Sequence, residues 1–247
     1  GDKVNVDLLV TNGVSPHTFD PKPSDIKKLE KADLFFIIGL GLEIFAYDLA
    51  QAAGNKVKLI EVGKEVTVID DNKDNNHEHQ FGNPHIWVSL RNLSILAKIV
   101  ADTLSRVDPD NAEFYSRNAQ SYIKQCLQLD EWFTQQVKNF KTHYFIAAHS
   151  AWVYLARDYN LVQVGVIEES PGKEPSPKKI KSLIDSLKTS EKPVIFVEPQ
   201  LSLKAVQVLA EETGMKVTLL DPLGFYPEVP FLETMKDNLQ KITEVMK

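Results

Sequence analysis

Three histidines and one aspartate stand where an α/β chain would present ligands. His17 lies in Gly13-Val14-Ser15-Pro16-His17-Thr18-Phe19-Asp20-Pro21, just past a strand-like run. His85 lies in Asn83-Pro84-His85-Ile86-Trp87, ahead of a helical pattern. His149, in Ala147-Ala148-His149-Ser150-Ala151-Trp152, and Asp221, in Leu220-Asp221-Pro222-Leu223-Gly224, each follow another strand-like run. Ligands of open α/β sheets bind beyond the carboxyl ends of the strands, where loops and helix N-termini converge. Three neutral imidazoles and one carboxylate form a closed tetrahedral set suited to Zn2+, with Zn–N near 2.0–2.1 Å (about). A Ca2+ or Mg2+ site would be built mostly from oxygens, whereas affinity for a nitrogen-rich set rises from Mn2+ toward Zn2+, so zinc leads and manganese stays open. Each residue also has a plainer use. His17 could be an exposed loop residue, His85 a half-buried ring satisfied by backbone carbonyls, His149 a helix-start or core residue, and Asp221 a turn initiator before Pro222. Their joint placement carries more than any one of them.

The elements that must position these residues follow from apolar periodicity. Short runs read as strands at Val4 to Val10, Leu34 to Ile38, Val57 to Val62, Tyr144 to Ala148, Val162 to Ile167, Val194 to Val197 and Lys216 to Leu220. Amphipathic helical patterns alternate with them, which predicts an α/β chain with largely parallel sheets. Ser176-Pro177 reads as an N-cap with proline at the first helical position, and Gly214 as a helix terminator. One segment breaks the rhythm: from Pro109 to Phe140 there is no glycine or further proline. Along it Tyr115, Ala119, Tyr122, Cys126, Leu129, Phe133, Val137 and Phe140 recur at steps of three or four. The spacing predicts one rigid helix, roughly 48 Å long at ~1.5 Å per residue. The organisation expected is therefore an N-terminal α/β lobe over 1–108, a long linking helix over 109–140 and a C-terminal α/β lobe over 141–247. Cys126, on the apolar stripe, reads as core.

Composition narrows the function. With 247 residues and 43% apolar content the chain can bury a sizeable core. A formal charge of −6 gives no electrostatic footprint for a phosphate backbone, so nucleic acid is a poor partner. A single cysteine closes no internal disulfide and rules out cysteine-rich zinc modules. The longest uncharged apolar stretches, Leu34 to Leu42 and Tyr144 to Ala156, fall short of the ~18 residues a membrane span needs. Gly1-Asp2-Lys3 is no natural start, which leaves room for a leader upstream. Residues 70–82 have almost no apolar content; His77 and His79 within them are either solvated residues of an exposed loop or loose metal catchers.

Taken in order, Pro16-His17-Thr18-Phe19-Asp20-Pro21 with Pro23-Ser24-Asp25, Asn83-Pro84-His85-Ile86-Trp87, His149-Ser150-Ala151-Trp152-Val153-Tyr154-Leu155-Ala156, Val197-Glu198-Pro199-Gln200 and Leu220-Asp221-Pro222-Leu223 resemble the zinc- and manganese-binding solute-binding proteins of ABC importers. The resemblance runs over the whole chain. It implies two α/β lobes joined by one long backbone helix, with metal ligation by His17 and His85 from the first lobe and by His149 and Asp221 from the second. Manganese-type relatives typically carry glutamate at the position of His149, so histidine here favours zinc; a His- and acid-rich loop before the second ligand is also typical of zinc-type members. The resemblance further implies a strand and helix ahead of the segment that opens here, so the first lobe is expected to lack them. The chain departs from the family's Asp-Pro-His-x-Trp-x-Asp-Pro in two places, at three positions: Asn83 replaces the first aspartate and Ser89-Leu90 the final pair. Both departures bear on how the ligand is oriented and leave the ligand itself in place.

The function so implied is capture of Zn2+ between two lobes and delivery to an ABC importer permease in the membrane, by a monomeric periplasmic protein or cell-surface lipoprotein with no enzymatic activity. A manganese-specific member is the nearest alternative. From a different class, a zinc-dependent hydrolase would use three histidines and an open coordination position, with Glu198 as the one general base the sequence offers. No H-E-x-x-H or G-x-S-x-G motif supports it. A surface adhesin using metal for structure is a third reading.

Overall fold

The computed structural model describes residues 2–54, 56–70, 81–168, 175–187, 193–199 and 204–247. It is an α/β chain with parallel sheets and a long helix, as the periodicity predicts. The chain divides into two compact units. The first comprises Gly1–Ile86 and Asn92–Gln125, the second Trp87–Arg91 and Cys126–Lys247. The backbone therefore passes from one unit to the other after Ile86, after Arg91 and after Gln125.

In the first unit, β1 (Leu34–Ile37) and β2 (Lys58–Glu61) form a two-stranded parallel sheet in the register Leu34↔Lys58 through Ile37↔Glu61. Helices α1 (Pro23–Leu29) and α2 (Phe45–Ala52) bring Leu29, Leu49 and Ala53 together, with Leu9, Ile26, Phe35 and Phe45 packed around them. Proline at the first position of α1 needs no amide partner there, and Asp25 accepts the Lys22 amide at 2.8 Å to close the turn. The expected strand over Val4 to Val10 does not form. A strand exists only as one side of a ladder, and no described neighbour offers residues 4–10 a partner; Val6 is 83% exposed. Helix α3 (Leu90–Val107) leads to a 3-10 turn at Pro109–Asn111, and α4 follows over Ala112–Val137.

At 26 residues, α4 is shorter than the periodicity suggests, about 39 Å. At its start the Asp108 carboxylate accepts the Asn111 side-chain amide at 2.8 Å and the Tyr115 hydroxyl at 2.6 Å, holding the entry in a tighter turn. At its end the amides of Asn139 and Phe140 fold back to the carbonyls of Gln136 and Val137, a three-residue spacing that closes the helix. Cys126 is fully buried, as its place on the stripe requires.

The second unit carries a four-stranded parallel sheet in the order β4-β3-β5-β6: β3 (Tyr144–Ala147), β4 (Val162–Val166), β5 (Val194–Val197) and β6 (Val217–Leu219). The inner strands β3 and β5 are almost wholly apolar and buried, as a parallel sheet covered on both faces demands. Between β3 and β4 runs α5 (Val153–Tyr159); α6 (Pro177–Leu187), α7 (Lys204–Thr213) and α8 (Phe231–Met246) complete the unit. Ile180 and Leu183 of α6 and Val206 and Leu209 of α7 pack with Ile146, Ile195 and Val197 from the sheet. A register shift in the β3–β4 pair falls beside Gly165, where a Cβ would meet the Leu183 side chain at 2.6 Å, so a larger residue there would require Leu183 to move. Both helix ends read from sequence are present. The Ser176 hydroxyl accepts the Lys179 amide at 3.2 Å, and Gly214 sits at φ +65° just beyond α7.

Candidate metal centre

His85 is the most firmly held of the four candidate ligands. The chain reaches it past Gly82, whose φ of +89° and lack of a side chain let the backbone pass Val68 and the Ile69 carbonyl; a Cβ would sit 2.9 Å from that carbonyl oxygen. Asn83, fully buried, then donates its amide to the Ile69 carbonyl at 2.9 Å. Its side-chain oxygen accepts two bonds of 2.9 Å, one from the His85 amide and one from His85 Nδ1. Because a carboxamide oxygen only accepts, the His85 proton resides on Nδ1 and Nε2 presents its lone pair. Beyond it, the buried Asn92 donates to the Ile86 carbonyl at 3.0 Å and fixes the exit of the chain.

His17, half-buried in the turn that follows Pro16, brings its Nε2 to 2.9 Å from His85 Nε2. The ring centroids lie 5.0 Å apart and tilt by 34°. With His85 Nε2 accepting, His17 donates; two ring nitrogens that would repel as cations thus share one proton. A tetrahedral ion at about 2.05 Å from each would set two such nitrogens roughly 3.3 Å apart, so the pair needs to open by only about 0.4 Å to hold it. His17 is thus half-buried against His85, and His85 is buried on the Asn83 side chain.

In the second unit the candidate residues sit at the carboxyl edge of the sheet. His149 lies two positions beyond β3 and Glu198 directly follows β5, and those strands are neighbours in the ladder. Glu198, 2% exposed, brings Oε1 to 2.7 Å from His149 Nδ1. The carboxylate thus faces Nδ1 and leaves Nε2 as the ring nitrogen that could take an ion, the arrangement found behind metal-bound histidines generally. The turn after His149 is packed tightly: Ala151 and Trp152 are fully buried, with Trp152 edge-on to Phe196 of β5.

Asp221 lies two positions beyond β6, and its carboxylate is gathered by its own turn. Oδ1 accepts the amides of Leu223 and Gly224 at 3.0 and 2.9 Å, and Oδ2 accepts that of Phe225 at 2.5 Å. Asn238 of α8, fully buried, pairs with its backbone in both directions: Asp221 N donates to Oδ1 at 2.8 Å and Asn238 Nδ2 donates to the Asp221 carbonyl at 2.7 Å. The turn-forming reading of Asp221 is thus correct, and compatible with ligation, since Oδ2 with one amide keeps the more open lone pair.

The first unit accordingly brings His17 and His85 together, and the second places His149 on Glu198 and Asp221 in an amide-lined turn. His77 and His79 lie outside the described residues. Sequence reasoning read Asn83 only as a departure and did not find Asn238, whose signal is a polar residue set among Met235, Leu239, Ile242 and Met246 on the buried stripe of α8. Among the described residues no helix is long and apolar enough to cross a membrane.

The family model described as zinc-uptake complex component A, periplasmic (ZnuA), matches residues 1–245. The zinc-binding protein AdcA of Streptococcus pyogenes serotype M6 is 30% identical over 242 residues, covering 90% of this chain and 47% of that protein. The chain thus spans about half the length of such relatives. The high-affinity zinc uptake system protein ZnuA of Bacillus subtilis is 30% identical over 261 residues, covering 98% of this chain and 81% of the relative. A crystal structure of ZnuA superposes with a TM-score of 0.88 at 34% identity, covering 100% of this chain and 92% of that one.

Proposed function

The chain belongs to the ZnuA family of zinc-uptake components, and on that premise we propose that it is an extracytoplasmic solute-binding protein that captures Zn2+ and delivers it to an ABC-type importer in the membrane. The ligands are His17, His85, His149 and Asp221, and the protein acts as a monomer, free in the periplasm or anchored at the cell surface. The observation that carries this reading is the His17–His85 pair, two Nε2 atoms 2.9 Å apart with the tautomer of one fixed by a buried carboxamide. Such an arrangement has little use for a packed core, whereas a soft divalent ion needs it.

Charge supports the same reading. Asp221 supplies one negative charge as a ligand, and the buried Glu198 a second through His149, so a dication is matched without a surplus. Three imidazoles favour Zn2+ over Mn2+. An enzymatic role lacks such support: Glu198, the general base a hydrolase would need, is engaged with His149.

Metal analysis of the purified protein, with Zn2+ and Mn2+ in competition for wild type and His149→Ala, tests the reading. One Zn2+ per chain that Mn2+ does not displace is expected, with a loss of at least about tenfold in the variant. A preference for Mn2+, or a variant within threefold of wild type, would overturn the assignment of cargo or of His149 respectively.

A further inference from the structure

We infer that Trp87 is a positioning residue for cargo binding, its indole N–H clamping the turn that presents Asp221. The inference rests on the reading of Asp221 as a ligand and deepens it. Trp87 Nε1 donates to the Pro222 carbonyl at 2.7 Å. Pro222 directly follows Asp221, has no amide to contribute and a fixed φ, so its carbonyl is the one backbone group through which that residue can be held. The turn is pinned at three places: by Asn238 on the Asp221 backbone, by the Asp221 carboxylate on the amides of Leu223, Gly224 and Phe225, and by Trp87. The first two pins lie within the C-terminal stretch of the chain. The third comes from a segment that enters the second unit only as Trp87–Arg91.

That segment is firmly seated. The Ser89 hydroxyl donates to the Asp158 carboxylate, Arg91 Nε donates to Asp130 Oδ1 at 3.2 Å, and the Arg91 guanidinium lies 5.7 Å from the centre of the Tyr159 ring. Tyr159 in turn donates its hydroxyl to the same Asp130 oxygen at 2.8 Å. Trp87 is thus a fixed donor, and it stands two residues after His85 in the chain. The short stretch that carries one ligand therefore holds the turn that carries another. A carboxylate already fixed in place binds an ion without first losing the freedom of its turn, and keeps it longer.

Trp87→Phe keeps the aromatic ring and removes the donor. It is expected to weaken Zn2+ binding roughly tenfold, through faster release, with the melting temperature of the metal-free protein little changed. The decisive arm is the double variant with Asp221→Ala. There Trp87→Phe is expected to cost less than about twofold, because the clamp has no carboxylate left to position. The same fold loss with and without Asp221, or unchanged affinity in Trp87→Phe alone, overturns the clamp while leaving Zn2+ capture intact. A wild type that binds no Zn2+ overturns the functional reading and the clamp with it. A readout that needs no variant is the indole hydrogen of Trp87 in wild-type protein, whose exchange with solvent is expected to slow on Zn2+ loading; equal exchange in the two states is evidence against the coupling.

Discussion

Replacing Asn83 probes the centre at its best-defined point. Its side-chain oxygen accepts both the amide and the Nδ1 proton of His85, and Asn83 and His85 are buried at 0% and 2% exposure, so water does not substitute. Asn83→Ala strands two buried donors, each costing about 1–3 kcal/mol. It also frees the ring to carry its proton on Nε2, the nitrogen that must be bare to ligate. Loss of such a supporting bond lowers metal affinity by about 10–100-fold, or ~1.4–2.7 kcal/mol. Asn83→Asp is the informative opposite. A carboxylate makes bonds to the same two donors roughly twice as strong as the amide's and raises the basicity of His85. Its Zn2+ affinity is expected to rise about tenfold, which at saturating metal adds ~1.4 kcal/mol to the ligand-induced stabilisation. The metal-free variant, carrying a buried anion, should melt below wild type. Competition against a chromophoric chelator gives the affinities, and calorimetric melting with and without Zn2+ gives the stabilities. Asn83→Ala binding within threefold of wild type, or Asn83→Asp binding more weakly than Asn83→Ala, would refute the reasoning.

Three further outcomes are expected. Glu198→Ala should lose about 10–100-fold in Zn2+ affinity while Glu198→Gln, which keeps an acceptor near His149 Nδ1, loses less; equal losses by chelator competition would show that the contact does not orient the ring. Ligation requires neutral imidazoles, so Zn2+ affinity should fall as pH drops below about 6, and an affinity at pH 5 equal to that at pH 7 contradicts the histidine set. Glu43 tests an independent part of the first unit: burial pushes its carboxyl above the ordinary range despite the Ile38 and Gly39 amides it accepts at 3.0 Å, and Glu61 adds to the rise. Its neutral form is therefore favoured by folding, so its contribution is complete below the ordinary carboxyl pKa and is lost as pH rises through the raised value. In urea denaturation, wild type should lose stability relative to Glu43→Gln between pH 4 and pH 7, and a constant gap would show that the group is not perturbed.

Most of the fold was legible because it rests on local pattern. Six of seven strand runs form, since each is an apolar stretch bounded by turn residues and each finds a parallel partner. The seventh, Val4 to Val10, has the same alternation and fails because pairing is not a local property. The long helix was legible in its body and not at its ends, where the Asp108–Tyr115 bond decides the geometry. At the site, the places of His149 and Asp221 were legible from the strands they follow, whereas His17 was placed after a run that forms no strand. Their partners were not legible. Glu198 meets His149 because the sheet order sets β3 beside β5, and no spacing in the sequence encodes that order.

The two departures from the family pattern around His85 gain a physical account from the same reasoning, and the two are not equivalent. Ser89 stands at the aspartate of the pattern that the sequence resembles, and its hydroxyl donates to the Asp158 carboxylate, which also pairs with Arg157 at 2.8 Å. An aspartate at 89 would set two anions against each other there, so serine is the residue that fits this neighbour and the seating of Trp87–Arg91 survives. Asn83 has no such compensation. It keeps the geometry an aspartate would give and surrenders the charge, so His85 is oriented by a neutral acceptor while His149 is backed by the anionic Glu198. Two imidazoles of equal intrinsic basicity are thereby made unequal. On the proposed ligand set, retention of Zn2+ should then depend more on His149 than on His85, an asymmetry that a carboxylate behind both rings would erase.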